Sequence, residues 1–186
     1  VPQANSFQQV IAGNSVLYGA TGGSLHAAGQ VGERFCVRNS GANAVVEGCG
    51  DHGCEYMTRG TAIILGGTGN NFAAGMTGGE AFVLDLEGDF RQLCNQQTVR
   101  IMKPSDGALN RMKDLVSEFQ VQTQSLWGEE ILDRWDYFAS KVLHVVPLEL
   151  APEADPPRAP RRSAVLPKML SSCAKTRQVS PSAKGN

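Results

Sequence analysis

The chain has 186 residues, of which 41% are hydrophobic and only 6% aromatic, so one packed domain with an appendage fits while an interior built to enclose a large ligand does not. Its net charge of −1 conceals a split, +5 after residue 150 and −6 before it. No stretch approaches the roughly 18 consecutive apolar residues of a membrane-spanning helix.

In chain order, VPQANSFQQV carries neither a basic stretch nor an apolar core, so no secretory signal is read there, and the opening on Val1 rather than Met reads as a segment of a longer polypeptide. The five cysteines, Cys36, Cys49, Cys54, Cys94 and Cys173, are odd in number and lack framework spacing. Free thiols in a soluble, reducing, cytoplasmic setting are expected.

Residues 10 to 90 repeat. VLYGATGG (Val16 to Gly23), VVEGCGDHG (Val45 to Gly53) and IILGGTGNN (Ile63 to Asn71) share strand-favouring residues followed by two spaced glycines. GQVGERFCV (Gly29 to Val37), MTRGTAIIL (Met57 to Leu65) and MTGGEAFVL (Met76 to Leu84) each set a glycine before an apolar run. Ile63 and Phe82, Gly60 and Gly79, and Val16 and Phe35 lie 19 apart, and Val45 and Ile63 lie 18 apart. A βαβ unit or helical hairpin repeat needs about 30 residues, so this period suits one coil of a β-solenoid. In such a coil, short strands of about three to five residues meet at sharp corners and stack about 4.8 Å apart along the axis. Of the 21 glycines, 18 precede residue 90. Gly50 and Gly69 are expected to turn corners at φ > 0, the general role of these glycines being a positive φ or close backbone approach.

Within this region Gly48, Gly50 and Gly53 spell G-x-G-x-x-G after Val45 and Val46. A dinucleotide loop needs a helix directly afterwards and a carboxylate about 20 residues on. Gly60 arrives too soon for the helix, and TGNNFA holds no carboxylate. Architecture, not nucleotide binding, is the reading.

Beyond the break at Pro104 to Gly107, Leu109, Met112, Val116 and Phe119 follow helical spacing over about three turns. A second helix is expected with Ile131, Leu132, Trp135, Phe138 and Val142 on one apolar face, Glu129 and Glu130 near its positive end, and Pro147 beyond it. The helical pair is expected to cover an end or a flank of the solenoid, whose open edges need a partner. Six of the nine prolines and a dispersed basic set follow residue 150, which predicts a disordered, solvated tail and not a nucleic-acid-binding arm.

The best chemical candidate is CGDHGC, where Cys49, Asp51, His52 and Cys54 lie within six residues. Zinc sites of this kind pair such a unit with a second one, which the chain lacks, so the stretch reads as a tight corner with Asp51 in a local turn bond. No G-x-S-x-G, H-E-x-x-H or phosphate-loop pattern is present.

The stretches GERFCVRNSGANAVVEG, GDHGCEYMT and NFAAGMTGG, within residues 13 to 85, resemble the C-terminal G-x-G-x-G domain of the glutamate synthase large subunit. GEEILDRW and KVLHVVP are similar, more loosely, to that family's terminal helical segment. The resemblance implies a mainly β fold, a right-handed parallel β-helix, in an enzyme that makes two glutamates from glutamine and 2-oxoglutarate for ammonia assimilation. It further implies that glutamine hydrolysis, FMN and the iron–sulfur cluster belong to other domains. The β-helix would brace the amidotransferase and synthase domains, and other enzyme subunits, with no nucleic acid or membrane partner. No catalytic, cofactor-binding or metal-binding residue is therefore assigned, and no cofactor is expected in this chain. The expected organisation is a β-helix domain over 1–103, a helical segment over 104–150 and the tail over 151–186. Two alternatives stand beside it: a free-standing β-helix subunit of a multi-subunit oxidoreductase, like the one that formylmethanofuran dehydrogenase carries, and an autonomous enzyme using Cys49, His52 and Cys54.

Overall fold

The computed structural model describes residues 6–150, and the tail expected to be disordered lies outside them. Parallel strands β1 (Val10–Ala12), β2 (Ser24–Val31), β3 (Ser40–Cys49), β4 (Thr58–Ile64) and β5 (Gly78–Leu84) stack in sequence order. Their register sets Ala44, Ala62 and Ala81 in one column and His26, Val45, Ile63 and Phe82 in the adjacent one. The protein is a β-solenoid of about four turns. Each of the later coils carries one strand of 7 to 10 residues, longer than the short strands expected.

The rest of each coil is a turn with left-handed residues at every second position. Ser15, Arg34, His52 and Asn71 form one column, Leu17, Cys36, Cys54 and Ala73 a second, and Gly19, Arg38, Tyr56 and Gly75 a third, all with φ between 53° and 67°. A non-glycine residue there costs roughly 1 to 2 kcal/mol. Axial hydrogen bonds offset that cost. The His52 N–H donates to Asn70 O at 2.8 Å, that of Cys54 to Phe35 O at 2.7 Å, and that of Ala73 to Gly53 O at 2.8 Å.

This arrangement corrects the expected role of the glycines. Gly50 and Gly69 are not in the left-handed region, and most left-handed positions are held by other residues. Gly69 is required by close approach, because a Cβ there would strike the backbone N and Oδ1 of Asp51 in the coil below. Gly60 (φ 92°) and Gly79 (φ 76°), 19 residues apart, do use the left-handed region. The repeat grouping is corrected as well. Val45 and Ile63 are register partners, whereas Val16 belongs to a turn and accepts from the Cys36 N–H at 2.9 Å. VLYGATGG therefore occupies a different part of the coil from VVEGCGDHG.

Strand alternation divides the core. Val46, Ile64 and Val83 point into the coil with Phe35, Met57, Phe72 and Met76. Val45, Ile63, Leu65, Phe82 and Leu84 point outward and are covered by helices. After α1 (Phe90–Leu93) and β6 (Val99–Met102), α2 runs from Asp106 to Thr123, longer than expected at both ends. Ser105 caps it, its side chain accepting from the Ala108 N–H, and Ala108, Met112, Val116 and Phe119 form its buried stripe.

The second expected helix is broken. α3 (Leu126–Asp133) and α4 (Trp135–Ala139) meet at Arg134, which leaves the helical region with φ −114° and ψ 38°. Val142 is not on that helix but opens β7 (Val142–Pro147), which pairs antiparallel with β5 on one side and β6 on the other. The reason is the exposed β5 edge, whose unpaired backbone groups take a β-branched run as partner. The helices thus cover a flank, and β7 seals an end.

Candidate functional site

The four residues of CGDHGC are separated by the left-handed turn. Cys54 is fully buried beside Cys36, and Cys49 is buried at the end of β3. Asp51 and His52 lie at the surface. Asp51 Oδ1 accepts from the Asn70 N–H at 2.6 Å, and His52 Nδ1 lies 2.7 Å from Glu55 Oε1. Asn71 Nδ2 donates to the same Glu55 oxygen at 2.9 Å, and Asn95 Nδ2 donates to Asn71 Oδ1 at 2.9 Å. This polar ladder runs up the turn columns. Among the described residues, no group of three or more His, Cys, Asp and Glu is arranged to hold a metal ion.

The buried thiols are poor nucleophiles. Burial, with Cys54 close by, pushes the Cys49 thiol far up. A hydrogen bond with Cys36 and burial push Cys54 up. Burial raises Cys94 to about 12. A thiolate is the reactive form, so these groups are inert at neutral pH.

A second cluster sits on the outer face of β5 and β7. Glu80 Oε2 lies 2.8 Å from His144 Nε2 and accepts from Arg111 Nη2 at 2.9 Å, beside a cleft of about 480 Å³. Burial alone would raise the Glu80 carboxyl, but the hydrogen bonds from His144 and Arg111 outweigh it and hold it below its usual range.

The third is at the other end of the strands. Glu47, 1% exposed, lies in β3 one position past the outward Val45 and inward Val46, hence on the helix-covered face. Ser125, the cap of α3, donates its hydroxyl to Glu47 Oε1 and accepts from the Gly128 N–H at 2.9 Å. Glu47 Oε2 is buried and without a hydrogen-bond partner, as is Thr68 Oγ1. Both residues line a cavity of about 370 Å³. Trp127 forms one wall, fixed by an indole N–H donated to Leu65 O at 2.7 Å. The chemical candidates legible in the sequence leave Glu47 out, although a lone acid within AVVEGC, an otherwise apolar strand, is a signal of its own.

The GXGXG motif family matches residues 2–148. A ferredoxin-dependent glutamate synthase of Pyropia yezoensis is 47% identical over 140 residues, 75% of this chain and 9% of that protein. The large chain of an NADPH glutamate synthase of Bacillus subtilis is 44% identical over 145 residues, 76% of this chain and 10% of that protein. An NADH glutamate synthase of Schizosaccharomyces pombe is 46% identical over 143 residues, 76% of this chain and 7% of that protein. The chain therefore spans about a tenth or less of the length of the curated relatives it matches.

Proposed function

The chain belongs to the GXGXG motif family, as a glutamate synthase GXGXG region, and from that premise we propose that it is a non-catalytic brace for the other domains of the enzyme. The parent reaction would be formation of two glutamates from glutamine and 2-oxoglutarate, with cofactors bound elsewhere in the polypeptide. One observation carries this reading: the interior of the coil is filled by Phe35, Met57, Phe72 and Met76, and the outer sheet face is covered by the chain's own helices. Such a body offers rigid surfaces on closely stacked coils, and a brace requires stiffness more than chemistry.

In a full glutamate synthase polypeptide carrying this region, His52→Ala combined with Glu55→Ala removes the half-buried polar pair and leaves glutaminase and synthase turnover within about twofold. A kcat lowered about a hundredfold in a variant that melts like the parent would place chemistry in the ladder and overturn the proposal.

A further inference from the structure

We propose that the cavity between β3, β5 and α3 is a binding site for an organic cation, an ammonium or guanidinium group on an apolar stem, received by Glu47 Oε2 and Thr68 Oγ1. This inference is independent of the bracing role. It begins with the two orphaned atoms. A buried carboxylate oxygen and a buried hydroxyl without partners are costly, and both belong to residues lining one cavity of about 370 Å³. That volume suits a ligand the size of an amino-acid side chain.

Charge selects the ligand's sign. Asp85, Glu87 and Asp89 line the same cavity with Glu47, and no Lys, Arg or His does. Asp85 is partly engaged already, accepting from the Gly88 N–H at 2.9 Å, whereas Glu47 retains a whole free oxygen. The walls select the stem. Phe7 and Trp127, with ring centroids 5.2 Å apart, stand with Leu65, Leu84 and Phe90 around the cavity. Aromatic faces attract a cation directly and apolar walls take its methylenes. A bare divalent metal ion is disfavoured, because such ions need six or more oxygen ligands or a compact nitrogen and sulfur set. The Ser125 bond to Oε1 fixes the carboxylate and leaves Oε2 without a partner of its own, a fixed acceptor of the kind a preorganised receptor uses.

The ammonium group has two sources, a free amine or a Lys or Arg side chain from elsewhere in the synthase polypeptide. The probe is n-butylammonium, titrated into the 186-residue chain while the Trp127 indole N–H resonance is followed, with n-butanol as the neutral comparison. Saturable binding on the order of millimolar for the ammonium alone is expected. Glu47→Gln weakens it about tenfold or more, and Thr68→Val, which leaves the carboxylate intact should the first variant fold poorly, weakens it about threefold or more. Equal response to n-butanol, no response to either probe up to about 50 mM, or unchanged affinity in Thr68→Val overturns the proposal. Repeating the titration on a full synthase polypeptide separates the sources: retained binding assigns the site to a free amine, and lost binding assigns it to a side chain of that polypeptide.

Discussion

His144 lies flat against Phe82, ring planes 5° apart and centroids 4.4 Å apart, while its Nε2 sits 2.8 Å from Glu80 Oε2. Phe82 and His144 are direct cross-strand partners in the antiparallel β5 and β7 pair, and Glu80 stands two residues before Phe82 on the same face. The joint that closes the solenoid therefore has a hydrophobic half and an ionic half.

The ionic half sets a pH dependence. The folded Glu80 carboxyl is held below its ordinary value of 4.5, so its contribution is complete above that value and is lost as pH falls through the lower folded value. Glu80→Gln should cost about 0.5 to 1.5 kcal/mol at pH 7 and flatten the stability profile below about pH 4.5, as read by urea unfolding across pH 3 to 7. A parallel profile for parent and variant would remove Glu80 from the joint's energetics.

Gly69 and Gly67 make a matched pair two residues apart. A Cβ at Gly69 strikes the Asp51 backbone, while one at Gly67 meets nothing within 4 Å. Gly69→Ala is expected to destabilise by about 1 to 3 kcal/mol through overpacking, and Gly67→Ala by less than about 0.5 kcal/mol. Thermal melts of the two variants decide it, and equal melting temperatures would refute close approach as the reason for Gly69.

Ser125 carries two duties, capping α3 and holding Glu47 across 78 residues of sequence. Ser125→Ala removes the cap and leaves a buried carboxylate with neither oxygen paired, a loss of about 1 to 3 kcal/mol in denaturant midpoint analysis. A change below about 0.5 kcal/mol would mean that Glu47 finds another partner at once.

Cys36, Cys49, Cys54 and Cys94 are all buried, and Cys94 is raised to about 12. Iodoacetamide at pH 8 should leave these four unlabelled in the folded chain and label them all in denaturant, as read by peptide mass spectrometry. Excess zinc is expected to leave the melting temperature unchanged. Rapid labelling of Cys54, or a zinc-dependent rise in melting temperature lost in Cys54→Ser, would contradict this arrangement.

The sequence by itself determined the coil and the first helix. Stacking forces equivalent residue classes to recur at each coil, so the spacing of Val45, Ile63 and Phe82 is a direct record of which atoms lie above which. The stripe of Met112, Val116 and Phe119 records one buried helical face in the same manner. Tertiary structure decided the rest. Left-handed His52, Cys54 and Tyr56 have no local signal, since their strain is offset only by hydrogen bonds from coils above and below. Val142 reads as the end of a helix until the open β5 edge draws it into a strand. Glu47 reads as a misplaced charge until Ser125 arrives from α3 to hold one oxygen and leave the other facing no partner. For Val142, paired with Leu84, and for Glu47, held by Ser125, the deciding interaction joins residues far beyond the 19-residue spacing of the coils, so no periodicity registers it.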